Sequence, residues 1–260
     1  MSAEKSTLAL GRYFYALGII ALALVCLAWG DFDPGQPVPK QFPDRTVLAY
    51  AVALFMLAAG TAVLWRRTAT LAAAALAAYY AIFVVVVMNG RLVLKHYGEF
   101  LSYSGTAEQL AIAAGALIVF ATTAEIDEML GARLVRTGQI AFGISALLFG
   151  AAHFIYMNLT APLVPKWLPP GQEFWGYATG VAHIAAGLAI LSGVQARLAA
   201  ILLTAMFASF TPLVHAPLLL GDPSHGNWSE NALNIALIGA AWVVADSLAR
   251  RSPNARLAQK

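Results

Sequence analysis

The sequence predicts an all-α integral membrane protein with eight transmembrane helices, arranged as two parallel four-helix repeats with both termini in the cytoplasm. The first observation is composition: 60% of residues are hydrophobic, 11% are charged and the mean hydropathy is +0.71. A soluble domain carries about 25% charged residues. The excess of apolar side chains therefore faces lipid, which makes the bilayer the first predicted partner. The other two observations are eight apolar stretches and an internal repeat.

Each apolar stretch is close to the ~20 residues that a helix needs to cross a bilayer. The predicted spans are 11–30, 46–65, 69–89, 107–124, 138–158, 174–192, 197–220 and 231–249. The first stretch differs from a signal peptide, because it lacks a small-x-small cleavage site and seven more spans follow it. The polar residues 252–260 are predicted to form a flexible cytoplasmic tail.

The distribution of cations predicts the orientation. Eleven of the 16 lysines and arginines lie at the termini and in the loops after the second, fourth and sixth spans. The positive-inside rule places that side in the cytoplasm, as expected for a bacterial inner membrane protein. The pI near 9 then reflects basic loops at a membrane surface, and nucleic acid is not a predicted partner.

The two halves of the chain repeat each other at an offset of 127 residues. This offset pairs Gly11 with Gly138, Tyr50 with Tyr177, and "AAG" at 58–60 with "AAG" at 185–187. The loops "VPKQFP" and "VPKWLPP" also correspond, at an offset of 126. The predicted units are residues 1–127 and 128–251. Each has an even number of spans, so the repeats are parallel, whereas many alternating-access transporters have inverted repeats.

Several motifs of the second unit resemble the DoxX family of small bacterial membrane proteins. They are the loop "VPKWLPPG", the glycine-containing span "GVAHIAAG", the end of the third span "TPLVHAP" and the last span "ENALNIALIGAA". The first unit resembles the same pattern more faintly, in "MNGR" and "AEQLAIAAGALIVFA". One departure is Leu218, which stands where the family pattern has an arginine, while Arg91 is kept in the unit that has Met88 in place of a histidine. The resemblance implies a membrane component linked to redox chemistry, as in thiosulfate–quinone oxidoreductase systems and oxidative-stress complexes.

Three histidines, His153, His183 and His215, lie within consecutive predicted spans of the second unit. At a rise of 1.5 Å per residue they lie about 8, 14 and 8 Å below the outer surface. Polar side chains in a membrane usually face the bundle interior, so the three could converge. They are predicted to bind a metal, a haem or a quinone. In the quinone case a histidine N–H would donate a hydrogen bond to a quinone carbonyl. Trp167, on a stiff proline-rich loop that could cover the pocket, and Arg91, as a quinone or anion clamp, complete this site. The simpler interpretation is that each histidine forms a hydrogen bond with a neighbouring helix.

The offset of 127 places Cys26, Met56 and Met88 opposite the three histidines. Thiolate and thioether sulfurs favour Cu(I), so these residues are a second candidate metal site. Methionine also fills gaps in apolar packing, which is the simpler interpretation. Cys26 is the only cysteine, so a redox role requires a bound cofactor, a quinone or a partner oxidoreductase subunit.

The leading hypothesis is therefore a DoxX-like inner-membrane protein that acts as a quinone-linked redox subunit or accessory. The alternatives are a membrane protein that binds or handles copper or haem, and a small-molecule transporter or scaffold without redox chemistry. Whether the chain is itself an enzyme is left open by the sequence. Glu108 and Glu230, near the start of the last span of each unit, stabilise helix N-termini in the simplest interpretation and relay protons in another.

Overall fold

A computed structural model describes residues 3–249, with side chains from Leu10 onward. The described chain is all-helical, and no strand occurs within it. The predicted tail at 252–260 and the last two residues of the second predicted unit lie outside the described residues.

Eight helices of the described chain are long and apolar enough to cross a bilayer, which identifies a multi-pass membrane protein. They are α1 (Ala3–Trp29), α2 (Arg45–Val63), α3 (Ala69–Lys95), α4 (Phe100–Thr123), α5 (Glu128–Ile155), α6 (Gln172–Ser192), α7 (Ala196–Gly221) and α8 (His225–Ala249). A short helix, Met157–Thr160, and a single 3₁₀ turn, Ala161–Leu163, lie in the loop between α5 and α6.

All eight predicted spans coincide with helices, but four helices begin several residues earlier than predicted, including α1, which begins at Ala3 instead of 11. α4 begins at Phe100, α5 at Glu128 and α8 at His225, whereas the apolar stretches begin at 107, 138 and 231. Hydropathy detects only the part of a helix that lies in hydrocarbon, and polar turns can continue the helix beyond it. The start of α5 has a local cause, because the Asp127 side chain accepts a hydrogen bond from the Leu130 N–H at 3.0 Å.

The helices pack in a closed ring that follows the order of the chain. Each helix contacts the next, and α8 closes the ring against α1. α4 and α8 also contact each other across the middle, so they are the inner helices of the bundle. Their buried residues are mostly alanine, isoleucine, leucine and valine.

Helices α3 and α7 each contain a π-helical segment, Tyr79–Asn89 in α3 and Thr211–His215 in α7. In α7 a proline follows the first residue of the segment. Pro212 has no N–H to donate to the preceding turn. The side chain of Asn234 in α8 donates to the Phe207 carbonyl instead, at 3.0 Å, so α8 supplies the bond that this turn lacks.

Glycines allow α1 and α8 to approach until their backbones touch. A Cβ added at Gly18 would lie 2.3 Å from Cα of Ala236, and one added at Gly239 would lie 2.1 Å from the backbone nitrogen of Tyr15. No side chain fits at either place without separating the helices. Small residues at helix interfaces serve this purpose in membrane proteins generally.

We therefore expect Gly239→Ala to destabilise the fold by about 1–3 kcal/mol, the usual cost of overpacking. Gly105→Ala is the matched control, because a Cβ at that position in α4 meets nothing within 4 Å. Helix propensity predicts a gain of up to about 1 kcal/mol for the control. Unfolding in mixed micelles measures both, and equal stability of the two variants would contradict the proposed packing role of Gly239.

Candidate functional site

The structure brings two of the three predicted histidines into contact. The ring centroids of His153, in α5, and His183, in α6, are 5.1 Å apart, and the rings are inclined by 34°. Phe149 and Phe207 present their edges to His183, at centroid distances of 5.8 and 5.4 Å. The two imidazoles thus form a polar pair with an aromatic wall.

Glycine explains how these two rings meet. A Cβ at Gly180 in α6 would lie 2.9 Å from Cβ of His153, and one at Gly150 in α5 would lie 2.8 Å from the Gly180 carbonyl. The absence of side chains at both positions lets α5 and α6 pack backbone to backbone at this level. The histidines on either side of this contact are therefore held against each other.

Hydrogen bonding defines the tautomer of both rings. Nδ1 of His153 lies 2.8 Å from the Phe149 carbonyl oxygen, and Nδ1 of His183 lies 2.9 Å from that of Thr179. A carbonyl oxygen only accepts, so the proton of each neutral ring is on Nδ1. Each Nε2 is then a lone-pair acceptor, and neither has a hydrogen-bond partner among the described residues.

The two rings differ in accessibility. His183 is 2% exposed, whereas His153 is half-buried. The rings of Phe154 and Tyr177, which are inclined by 43° with centroids 5.6 Å apart, lie on the same two helices and are exposed. His153 is therefore the more accessible ring of the pair.

The remaining residues predicted for this pocket lie elsewhere. His215 makes no ring contact with the pair, and its buried Nδ1 has no partner among the described residues. Trp167 is 71% exposed in the loop before α6, and Arg91 donates to the Pro37 carbonyl at 3.0 Å. No group of three or more histidine, cysteine, aspartate or glutamate side chains within the described chain is arranged to hold a metal ion.

The predicted sulfur site has a different local environment. Met56 is fully buried, and its sulfur accepts hydrogen bonds from Gln36, at 3.6 Å, and from the Tyr80 hydroxyl, at 3.9 Å. Cys26 is buried in α1, and Met88 is half-buried at the edge of the core. The contacts of Met56 are with side chains of the protein, and the metal role of the three sulfurs stays a prediction.

The loop between α1 and α2 inserts into the bundle, a feature that hydropathy did not predict. Its residues Phe32, Asp33 and Gln36 are all buried. The Gln36 amide bonds Met56, and its carbonyl oxygen accepts from the Tyr79 hydroxyl at 2.7 Å. The turn "DPG" within this loop was the signal that could have indicated a compact, folded segment.

Further polar contacts hold the inserted loop in place. Asn89 donates to the Gly35 carbonyl at 3.0 Å, and Arg91 donates to that of Pro37. Asp31 forms an ion pair with Arg45 at the start of α2. The loop is therefore bonded to α2 and α3.

Tyr79→Phe should destabilise the inserted loop, because it leaves the buried carbonyl oxygen of Gln36 without its donor. Loss of one partner of a buried hydrogen bond costs about 1–3 kcal/mol. Tyr97→Phe is the control, since Tyr97 is 77% exposed. Protection of residues 31–38 from hydrogen exchange reports the effect. Unchanged protection in Tyr79→Phe would show that the loop is held by other contacts.

Residues 142–245 match the family model described as "Domain of unknown function (DUF8561)". The match runs from α5 into α8 and covers less than half of the 260 residues. No curated protein and no solved structure matches the chain. The similarity therefore concerns the part of the chain that carries the histidine pair.

Proposed function

We propose that the protein is a DoxX-like, quinone-linked redox subunit or accessory, and that His153 and His183 bind the head group of a hydroquinone. The observation that carries the proposal is the contact between two imidazoles whose Nε2 atoms both lack hydrogen-bond partners within the described chain. Unsatisfied polar atoms in a membrane protein mark ligand or ion sites by default.

The tautomers determine which redox form binds. A hydroquinone carries two hydroxyl groups that donate hydrogen bonds, whereas the oxidised quinone has only carbonyl acceptors. Both histidines present acceptors at Nε2, so they fit the reduced form. This reverses the hydrogen bond expected from the sequence, in which a histidine donates to a quinone carbonyl, because the Nδ1 protons are already bonded to Phe149 and Thr179.

The surroundings of the histidine pair fit the apolar ring and tail of a quinol. Phe149 and Phe207 offer ring edges around His183, and the exposed Phe154 and Tyr177 lead from the pair to the lipid-facing surface. A quinol partitions into the bilayer, so a site reached past the half-buried His153 suits it. Aromatic and apolar walls with a few polar groups are usual in such pockets.

The geometry also favours one alternative, a single metal ion shared by the pair. Two imidazoles bound through Nε2 to one ion at about 2.0–2.1 Å, with a tetrahedral angle, have ring centroids about 5 Å apart. The observed 5.1 Å agrees with that value. Haem binding by the pair stays a prediction.

The duplicated architecture forms part of the same proposal. Under the offset of 127 residues, α1–α4 correspond to α5–α8. The neighbour pairs follow this correspondence: α1–α2 with α5–α6, α3–α4 with α7–α8, and α4–α5 with α8–α1. Both third helices carry a π-helical segment. We further propose that the termini are cytoplasmic in a bacterial inner membrane, on the basis of the cation distribution.

Binding of decyl-hydroquinone to the protein in lipid nanodiscs tests the proposed site. His183→Gln and His153→Gln should each weaken binding about tenfold, the effect of one lost hydrogen bond to a buried acceptor. His96→Gln is the matched control, because His96 lies at the exposed end of α3 and bonds Glu99. The oxidised decyl-quinone should bind more weakly than the reduced form.

Equal binding by all three variants would contradict the quinol site. Metal analysis and copper titration of the same preparations separate the alternative: a copper ion lost in both pair variants, together with no quinol binding, would assign the pair to metal handling. Orientation is tested independently by labelling cysteines introduced at 40 and 166, which we expect to be accessible from outside the cell.

A further inference from the structure

We propose that Asp33, Glu108 and Glu230 form a proton-binding site at the contact between α4 and α8, separate from the histidine pair. Asp33 comes from the inserted loop, Glu108 from α4 and Glu230 from α8. The three carboxylates lie near enough for their charges to repel one another. This end of the bundle, which carries the loops at 30–44 and 156–171, is called the long-loop end below.

The loop places its carboxylate against α4 through a glycine. The Asp33 carboxylate accepts from the Gly35 N–H at 2.8 Å. A Cβ added at Gly35 would lie 2.1 Å from Nε2 of Gln109 and 2.9 Å from Oδ1 of Asp33. The amide nitrogen and the carboxylate therefore border the same small space, and only glycine leaves it open.

The two inner helices contribute similar residues to this place. α4 carries Glu108 followed by Gln109, and α8 carries Glu230 followed by Asn231, so each helix supplies a carboxylate next to an amide. Both dipeptides lie near the long-loop ends of their helices. The helices that carry the two dipeptides are in contact with each other.

Buried polar atoms around the carboxylates lack partners, and this is the second observation. Nε2 of Gln109 has no hydrogen bond within the described chain, although the residue is only 1% exposed. Oδ1 of Asn231 is likewise buried and unpaired. Buried polar groups in native structures are nearly always bonded to protein or to ordered water. These atoms therefore require a small bound molecule, such as water, that both accepts and donates hydrogen bonds.

The titratable groups next to Asp33 come from several elements of the bundle. Cys26 of α1 and Tyr79 and Tyr80 of α3 are uncharged groups beside Asp33. Arg45, the first residue of α2, is already paired with Asp31.

Two other basic residues at this end have their own contacts. Arg91 is bonded to the Pro37 carbonyl, and the His225 ring stacks on Trp29 at 5.3 Å while its electrostatic partners are Asp31 and Arg45. The charges that act on the three carboxylates are therefore those of other acids. Like charges in a weakly polar environment cannot all ionise, so the cluster holds at least one proton.

A proton fits this arrangement better than a metal ion. The carboxylates are not arranged as a group that could hold a metal within the described chain. The amide nitrogen of Gln109 is a donor, which repels a cation but can bond the oxygen of a water molecule or of a carboxyl group. Burial also raises the pKa of Asp33 to about 6, which brings proton release from this acid close to neutral pH.

The exposure of the three carboxylates increases from Asp33 to Glu230. Asp33 is buried, Glu108 is half-buried and Glu230 is exposed. A proton entering from the long-loop end would meet Glu230 first and Asp33 last. The histidine pair lies on α5 and α6 and shares no residue with this path, so the two sites can be tested separately.

Infrared difference spectroscopy of the protein in nanodiscs tests the proposal, by following the C=O stretch of protonated carboxylic acids between pH 8 and pH 5. We expect the wild type to retain a protonated carboxyl signal at neutral pH. Glu108→Gln and Glu230→Gln should each reduce that signal and shift its titration to lower pH. Glu173→Gln, which changes an exposed acid at the start of α6, is the control and should leave it unchanged.

A wild-type protein whose carboxyl groups are all ionised at neutral pH would overturn the proposal, and this result does not depend on any variant folding. If sodium or calcium removes the signal of the protonated carboxyl group at fixed pH, the site binds a cation instead. Quinol binding is unaffected by these substitutions in our proposal, so failure here is distinguishable from failure of the histidine site.

The pH dependence of stability gives a second measurement. The folded chain binds the Asp33 proton more tightly than the unfolded chain, so the midpoint of thermal unfolding should fall as the pH rises from 3.8 to about 6. Asp33→Asn should be less sensitive to pH over this interval and more stable than the wild type above it. A wild-type midpoint that rises over this interval, or an unchanged slope in the variant, would contradict the role given to Asp33.

Discussion

The lack of water in the hydrocarbon core is the constraint on which the rest of this structure depends. Every polar group that enters the bilayer must find its partner within the chain or in a ligand. The π-helical segment of α7 shows the first solution, because Asn234 reaches from α8 to a carbonyl that Pro212 cannot serve. The histidines show the same solution on one side of each ring, where Nδ1 donates to the carbonyl one turn earlier.

The same constraint makes the unsatisfied atoms informative. At the histidine pair the unpaired atoms are acceptors in an apolar, lipid-facing setting, which suits the hydroxyl groups of a membrane-soluble molecule. At the long-loop end the unpaired atom is a donor, Nε2 of Gln109, set among acids. The chemistry of the missing partner differs between these places, so one ligand would not satisfy both.

Sequence reasoning predicted the helices well, because a span of about 20 apolar residues has few alternatives in a lipid-facing chain. Small residues also surround His183 in "GVAHIAAG", and such residues are typical of close contacts between membrane helices. Whether three histidines meet depends instead on the rotation of each helix about its axis, which spacing along the chain does not determine. His153 and His183 meet because Gly150 and Gly180 bring their helices into backbone contact, and α7 has no such contact that would bring His215 to them.

The path of a loop is still harder to predict, and it accounts for the difference between the two halves. In the proposed repeat, Met56 corresponds to His183 and Tyr80 to Phe207. Both correspondences hold as contacts, since Tyr80 bonds the Met56 sulfur and Phe207 packs on the His183 ring.

In the first half, however, the inserted loop adds Gln36, which donates to Met56 and occupies the side that would otherwise face a ligand. In the second half the corresponding loop stays outside the bundle, with Trp167 exposed, and His153 takes that side instead. In the proposed repeat, the first position is thus closed by its own loop, and the second is not. The second position, with its two free Nε2 acceptors, is then the one at which the proposed ligand would bind.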